Sequence, residues 1–101
     1  MKTKVLIIED EKKIARFLEL ELTHEGYDVD IAYEGRDGLI KFEQNEYDLI
    51  LLDVMLPKLT GLAVLHELRK TNNVPVIMLT AIGDEYTQIS SFDGMADDYV
   101  T

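Results

Sequence analysis

A parallel α/β sheet with helices on both faces is the fold class predicted for this chain of 101 residues, and three observations predict it. Short, almost wholly apolar runs recur at "KVLII" (4–8), "LILLD" (49–53) and "VPVIMLTA" (74–81), and strands this apolar are buried on both faces. Segments with helical spacing separate them, so strand and helix alternate. The length suits one domain with one core.

The first run stops abruptly at Glu9-Asp10-Glu11, the pattern of a buried strand feeding a helix N-terminus. From Glu11 to Glu25 the apolar residues Ile14, Phe17, Leu18 and Leu22 fall at i, i+3, i+4 and i+8, and Gly26 is placed to cap the end. Leu18, Leu20 and Leu22 also alternate as a strand would, but the length and the closing glycine decide for helix. "YDVDIA" (27–32) alternates as a second strand. "EGRDGLIKFEQNE" predicts a helix with Leu39, Ile40 and Phe42 inward, weakened by two glycines. After the apolar third strand, "TGLAVLHELRK" repeats Leu62, Leu65 and Leu68 at helical spacing, with bases in the last turn where the helix dipole favours them. The fourth strand has Pro75 near its start. "GDEYTQISSFDGM" predicts a short polar helix with Tyr86, Ile89 and Phe92 inward, and "DDYVT" begins a fifth strand.

Composition narrows the function. Hydrophobic residues make up 47% and charged residues 30%, an ordinary globular balance. No stretch approaches the ~18 uncharged apolar residues of a membrane span, and "MKTKVLIIED" meets acid too soon for a signal peptide, so a cytoplasmic location is expected. With no cysteine there is no disulfide, thiolate metal site or cysteine nucleophile. A net charge of −10 is the wrong sign for gripping a phosphate backbone, so this piece is not expected to bind nucleic acid directly. Beyond Lys70 every charged residue is an acid.

Asp53 stands inside the apolar run "LILLDVMLP", and an unpaired charge in such a setting costs several kcal/mol. In open parallel sheets the usable crevice lies beyond the carboxyl ends of the strands. Glu9 and Asp10 follow the first strand and Asp53 ends the third, so adjacent strands would bring three carboxylates into one pocket. Like charges at close range raise one another's proton affinity unless a cation neutralises them. Magnesium suits an open set of one or two carboxylates plus waters and phosphate oxygens. An aspartate beside it is also a potential nucleophile toward phosphorus. Thr80 ends the fourth strand next to the small Ala81, placed to donate a hydrogen bond to a phosphoryl group. A glycine-rich phosphate cradle is missing, because "EDEKK" follows the first strand.

Plainer readings stand beside these. Glu9, Asp10 and Glu11 also suit a helix N-terminus, Thr80 a β-branched strand position, and Tyr99 a core position. His24 and His66 lie among polar helix positions and read as surface residues. Lys12, Lys13 and Arg16 read as a solvated face that a kinase could meet.

"VLIIEDE", "LILLDVMLPKLTG", "VPVIMLTA" and "ADDYV" together resemble the receiver domain of two-component response regulators, of the type that precedes a winged-helix DNA-binding domain in OmpR/PhoB-like transcription factors. The resemblance spans nearly the whole of residues 1–101. It implies a flavodoxin-like (βα)5 fold with sheet order 2-1-3-4-5, an order inherited from the family; a chemotaxis receiver is a standard example of it. By position it implies that Asp53 accepts phosphate from a sensor histidine kinase and that Glu9, Asp10, Asp53 and the Met55 carbonyl hold magnesium, Glu9 mainly through water. Thr80 and Ala81 would meet the phosphoryl group and Tyr99 would turn inward, coupling the site to the face of the fourth helix and fifth strand. Pro57 and Gly61 stand at the family spacing after Asp53.

Three departures accompany the resemblance. The family's lysine after the fifth-strand tyrosine and its fifth helix are absent, so the domain is read as incomplete at its C-terminus, with an uncovered sheet face expected to lower stability or invite pairing. Met95 stands where the family has glycine. A homodimer is one partner reading, although Gln88 and Ser90 occupy places where the subfamily's dimer uses bases. The expected role is a switch, not an enzyme, with slow self-dephosphorylation and an effector domain that binds DNA. The rivals are an aspartate-nucleophile phosphohydrolase, which wants an acid where Met55 stands, and a flavin-binding domain, which wants the missing phosphate loop.

Overall fold

The computed structural model describes residues 2–79 and the backbone of 98–100. Strands β1 (Lys4–Ile8), β2 (Asp28–Ala32), β3 (Leu49–Asp53), β4 (Val76–Leu79) and β5 (Asp98–Val100) form one parallel sheet in the order β2-β1-β3-β4-β5. Helices α1 (Lys12–His24), α2 (Gly35–Gln44) and α3 (Gly61–Arg69) connect the first four strands. The expected fourth helix falls outside the described residues, as do Gln88, Ser90 and Met95.

The period of two along each strand divides the core into two layers. Leu6, Ile8, Ile50, Leu52, Val76 and Met78 point to one face, where Val64, Leu65 and Leu68 of α3 close over them with Leu39 and Phe42 of α2. Val5, Ile7 and Leu51 point to the other, against Leu18 and Leu22 of α1. Leu49, Ile77 and Leu79 on that second face are only partly buried. Among the described residues, the α2–α3 side is therefore the better closed of the two.

Helix ends follow local chemistry. Gly26, at φ 95°, completes α1 as expected: its N–H donates to the Thr23 carbonyl (3.0 Å) and the Tyr27 N–H to the Leu22 carbonyl (3.0 Å), the paired bonds of a Schellman motif. At the start of α3 the Thr60 hydroxyl accepts from the Ala63 N–H at 3.2 Å. Arg69, in the last turn, donates to the Val74 carbonyl at 2.7 Å and pins the turn into β4.

Three inward faces differ from expectation. On α1 the buried arc runs through Ala15, Leu18 and Leu22, leaving Ile14 47% and Phe17 60% exposed. On α2 the buried residues are Gly35 and Gly38, with Leu39 and Phe42 half-buried and Ile40 turned out. On α3, Val64 joins Leu65 and Leu68 inside while Leu62 lies exposed. In each case small or branched residues let the helix sit close to the sheet, and the larger apolar residues fall outside that arc. His24 and His66 are exposed, as expected.

Leu52 is fully buried between β1, β4 and α3, so Leu52→Ala is expected to cost about 2–5 kcal/mol. Phe17→Ala is expected to stay within about 0.5 kcal/mol of wild type. Urea unfolding followed by circular dichroism compares the two.

Candidate functional site

The strand register builds the site. Ile8 on β1 pairs with Leu52 on β3, so Glu9, just beyond β1, and Asp53, the last residue of β3, emerge side by side at the carboxyl rim. Glu9 is tied on its other flank, its N–H donating to the Ala32 carbonyl at the end of β2 (3.0 Å). One carboxylate oxygen each of Glu9, Asp10 and Asp53 lies within 4.8 Å of the others. Glu9 is 4% exposed, Asp53 half-buried and Asp10 exposed.

Main-chain donors orient these acids. The Glu11 N–H donates to Glu9 Oε2 (3.0 Å), and the Met55 N–H donates to Asp53 Oδ1 (3.0 Å). The Glu11 side chain makes no cap hydrogen bond at the start of α1. Beyond Asp53 the Val54 N–H donates to the Leu79 carbonyl (3.0 Å) and the Gly61 N–H to the Val54 carbonyl (3.1 Å). A Cβ at Gly61 would stand 2.7 Å from Val54 Cα, so glycine is required where α3 folds back onto the strand end. Pro57 is exposed in the intervening turn, and Met55 is 56% exposed. Thr80 and Ala81 lie outside the described residues, as does the side chain of Tyr99, whose backbone pairs with Met78.

Burial is the largest influence on Glu9 and raises its pKa to about 8; the Glu11 amide opposes this, while Asp53 and Asp10 reinforce it. Burial also raises the Asp53 carboxyl, against the Met55 amide bond, with Asp10 adding repulsion. Burial and mutual repulsion thus favour a proton retained within the Glu9–Asp53 pair when no cation is present. The same three oxygens suit a hard divalent cation, which prefers carboxylate ligands in an open site and would replace that proton.

Two features had little signal in the sequence. Lys58 adopts φ 63° with no glycine or asparagine to mark it, and its Nζ lies 3.8 Å from Glu34 Oε1, linking the loop after β3 to the start of α2. The burial of Glu9 was also hidden, since a polar residue just past a strand reads as exposed.

Comparison with protein families matches residues 5–101 to the response regulator receiver domain. The chain is 52% identical over 98 residues to the response regulator ArlR of Staphylococcus saprophyticus, covering 97% of this chain and 44% of that protein. It thus spans less than half the length of that curated relative. Among solved structures it is similar to the receiver domain of Francisella response regulator 1452, with a TM-score of 0.88 and 38% identity over 97% of this chain and 82% of that one. It is likewise similar to the response regulator TrrA of Thermotoga maritima, solved in complex with Mg(2+)-BeF, with a TM-score of 0.87 and 39% identity over 100% of this chain and 86% of that one.

The raised Glu9 pKa sets a pH dependence. Between about pH 4.5 and 8 the folded state keeps a proton that the unfolded state has released, so stability without a cation falls as pH rises through that window, by at most about 1.4 kcal/mol per unit. Urea titrations at pH 5 and pH 8 should show this fall. Glu9→Gln should reduce it, leaving the part due to Asp53, and added magnesium chloride should flatten it.

Proposed function

The chain belongs to the response regulator receiver domain family, and from that premise we propose that it is a phosphorylation-operated switch whose Asp53 accepts a phosphoryl group from a sensor histidine kinase. The convergence of Glu9, Asp10 and Asp53 within 4.8 Å carries this reading. An Asp53 oxygen forms the new bond to phosphorus while the bond from phosphorus to the kinase's histidine nitrogen breaks. That nitrogen leaves with the electron pair and takes up a proton.

Glu9, Asp10, Asp53 and the Met55 carbonyl would hold magnesium, which would neutralise charge on the transferred oxygens. The chain's own groups do the rest. The Met55 amide orients the Asp53 carboxylate, and the Gly61 contact fixes the loop that carries it. Thr80 and Ala81 receive the phosphoryl group, and Tyr99 follows it inward to change the surface of the fourth helix and fifth strand. The output passes to an attached DNA-binding domain, and the whole acts in the cytoplasm. No described helix is long and apolar enough to cross a membrane. Turnover is limited to slow self-dephosphorylation, so the role is that of a switch and not of an enzyme.

The outward side of α1 suits the kinase. Phe17 and Leu20, 60% and 52% exposed, line a shallow depression of about 400 Å³ with Lys12, Lys13 and Arg16. These apolar groups face away from the domain's own core, and the bases around them belong to a chain with net charge −10. Such a surface fits an acidic-rimmed apolar helix face on a partner.

With magnesium and a small acyl-phosphate donor, intact mass spectrometry should find one added phosphoryl group on wild type and none on Asp53→Asn; equal uptake would remove Asp53 as acceptor. Phe17→Ala should slow transfer from the cognate kinase about tenfold, the equivalent of about 1.4 kcal/mol, while leaving the rate with the small donor unchanged.

A further inference from the structure

Helix α2 rests on its neighbours through two glycines. A Cβ at Gly35 would stand 2.7 Å from Val64 Cγ2 and 2.9 Å from the Leu59 carbonyl oxygen, and one at Gly38 would stand 2.8 Å from Ile8 Cγ1. Ile8 is the residue before Glu9. Leu59 lies in the loop after Asp53, and Val64 in the helix which that loop feeds. The Lys58–Glu34 ion pair ties the same loop to the N-cap of α2, and the Glu9 N–H is bonded to the last residue of the strand that leads into α2. The helix backbone is thus braced directly against both segments that carry the acids. The glycines contribute no side chain of their own: Gly35 meets the Leu59 backbone carbonyl as well as Val64, and Gly38 meets the fully buried Ile8 side chain, so close packing leaves little room to absorb a change in the spacing of those segments.

We propose that α2 is a lever driven by the acid pocket. When a divalent cation draws the end of β1 and the end of β3 together, α2 moves as a rigid helix and reshapes the cleft of about 180 Å³ that it forms with α3, where Phe42 and Glu43 face Glu67 and Thr71. This gives the domain a second responsive surface, separate from the fourth helix and fifth strand. It rests on the reading that the pocket binds magnesium. Coupling of this kind is reciprocal, so a change forced on α2 must alter cation affinity.

Isothermal titration of magnesium chloride into wild type, Gly35→Ala and Gly26→Ala tests this. Gly26 has φ 95° and open space for at least 4 Å around the position a Cβ would take, so its substitution strains the chain without pushing α2. Gly35→Ala should change the magnesium Kd about fivefold and Gly26→Ala should leave it unchanged. Hydrogen exchange of wild type should show amides of residues 39–44 altered about twofold by magnesium; this readout, with Glu34→Ala as a milder variant, serves if Gly35→Ala does not fold. Magnesium binding with no change in exchange over 39–44, and no change in Kd for whichever α2 variant folds, overturns the lever and leaves the pocket assignment standing. Absence of magnesium binding to wild type overturns both.

Discussion

The pairing of Ile8 with Leu52 is the constraint on which the rest depends. Both side chains are fully buried in the layer closed by α2 and α3, so a slip in register would turn apolar residues to the wrong face along the whole strand. The register that satisfies the core also forces Glu9 and Asp53 out together at the strand ends. Their repulsion is a by-product of good packing, which a proton retained within the pair relieves and a cation in its place would also relieve. The site is in this sense a charge defect imposed by the core.

The parts of this arrangement legible in the sequence were those with a periodic signal. Alternating apolar strands and helices predicted every described element, and Asp53 was conspicuous because its neighbours are apolar. Sheet order had no such signal and came from the family resemblance; periodicity says that strands are buried and not which ones touch. The helix faces depart from expectation for a related reason. Hydrophobicity weights Ile14, Phe17 and Ile40 heavily and Ala15, Gly35 and Gly38 lightly, whereas close approach to a sheet favours the small residues. The glycines at which α2 approaches Val64, Leu59 and Ile8 were the residues that such a reading discounts.

The two faces of the sheet carry different burdens. The α2–α3 side has a continuous buried layer, which suits the displacement proposed for α2. The α1 side keeps Leu49, Ile77 and Leu79 partly exposed, while α1 turns Phe17 and Leu20 away from the core. Bases are scarce in a chain with twenty acids against ten, and Lys12, Lys13 and Arg16 stand together around those outward apolar groups. The partner surface proposed for α1 and the response proposed for α2 therefore belong to different helices on opposite sides of one sheet.

Charge balance explains why the proposed switch must recruit further groups. Three carboxylates and one divalent cation leave a net charge of about −1, and a phosphoryl group makes the site more negative still. The described bases flanking the strand ends are already engaged, Lys58 with Glu34 and Lys12 over the Tyr33 ring at 5.7 Å from its centroid. Donors for the added oxygens must then come from elsewhere, and the residue following Leu79, which pairs with Asp53 across the β3–β4 ladder, is a threonine. In the proposed switch that hydroxyl would donate to a phosphoryl oxygen that the unphosphorylated site does not carry. Such a difference in interaction between the two states is what would let the proposed covalent change at Asp53 shift a conformational equilibrium.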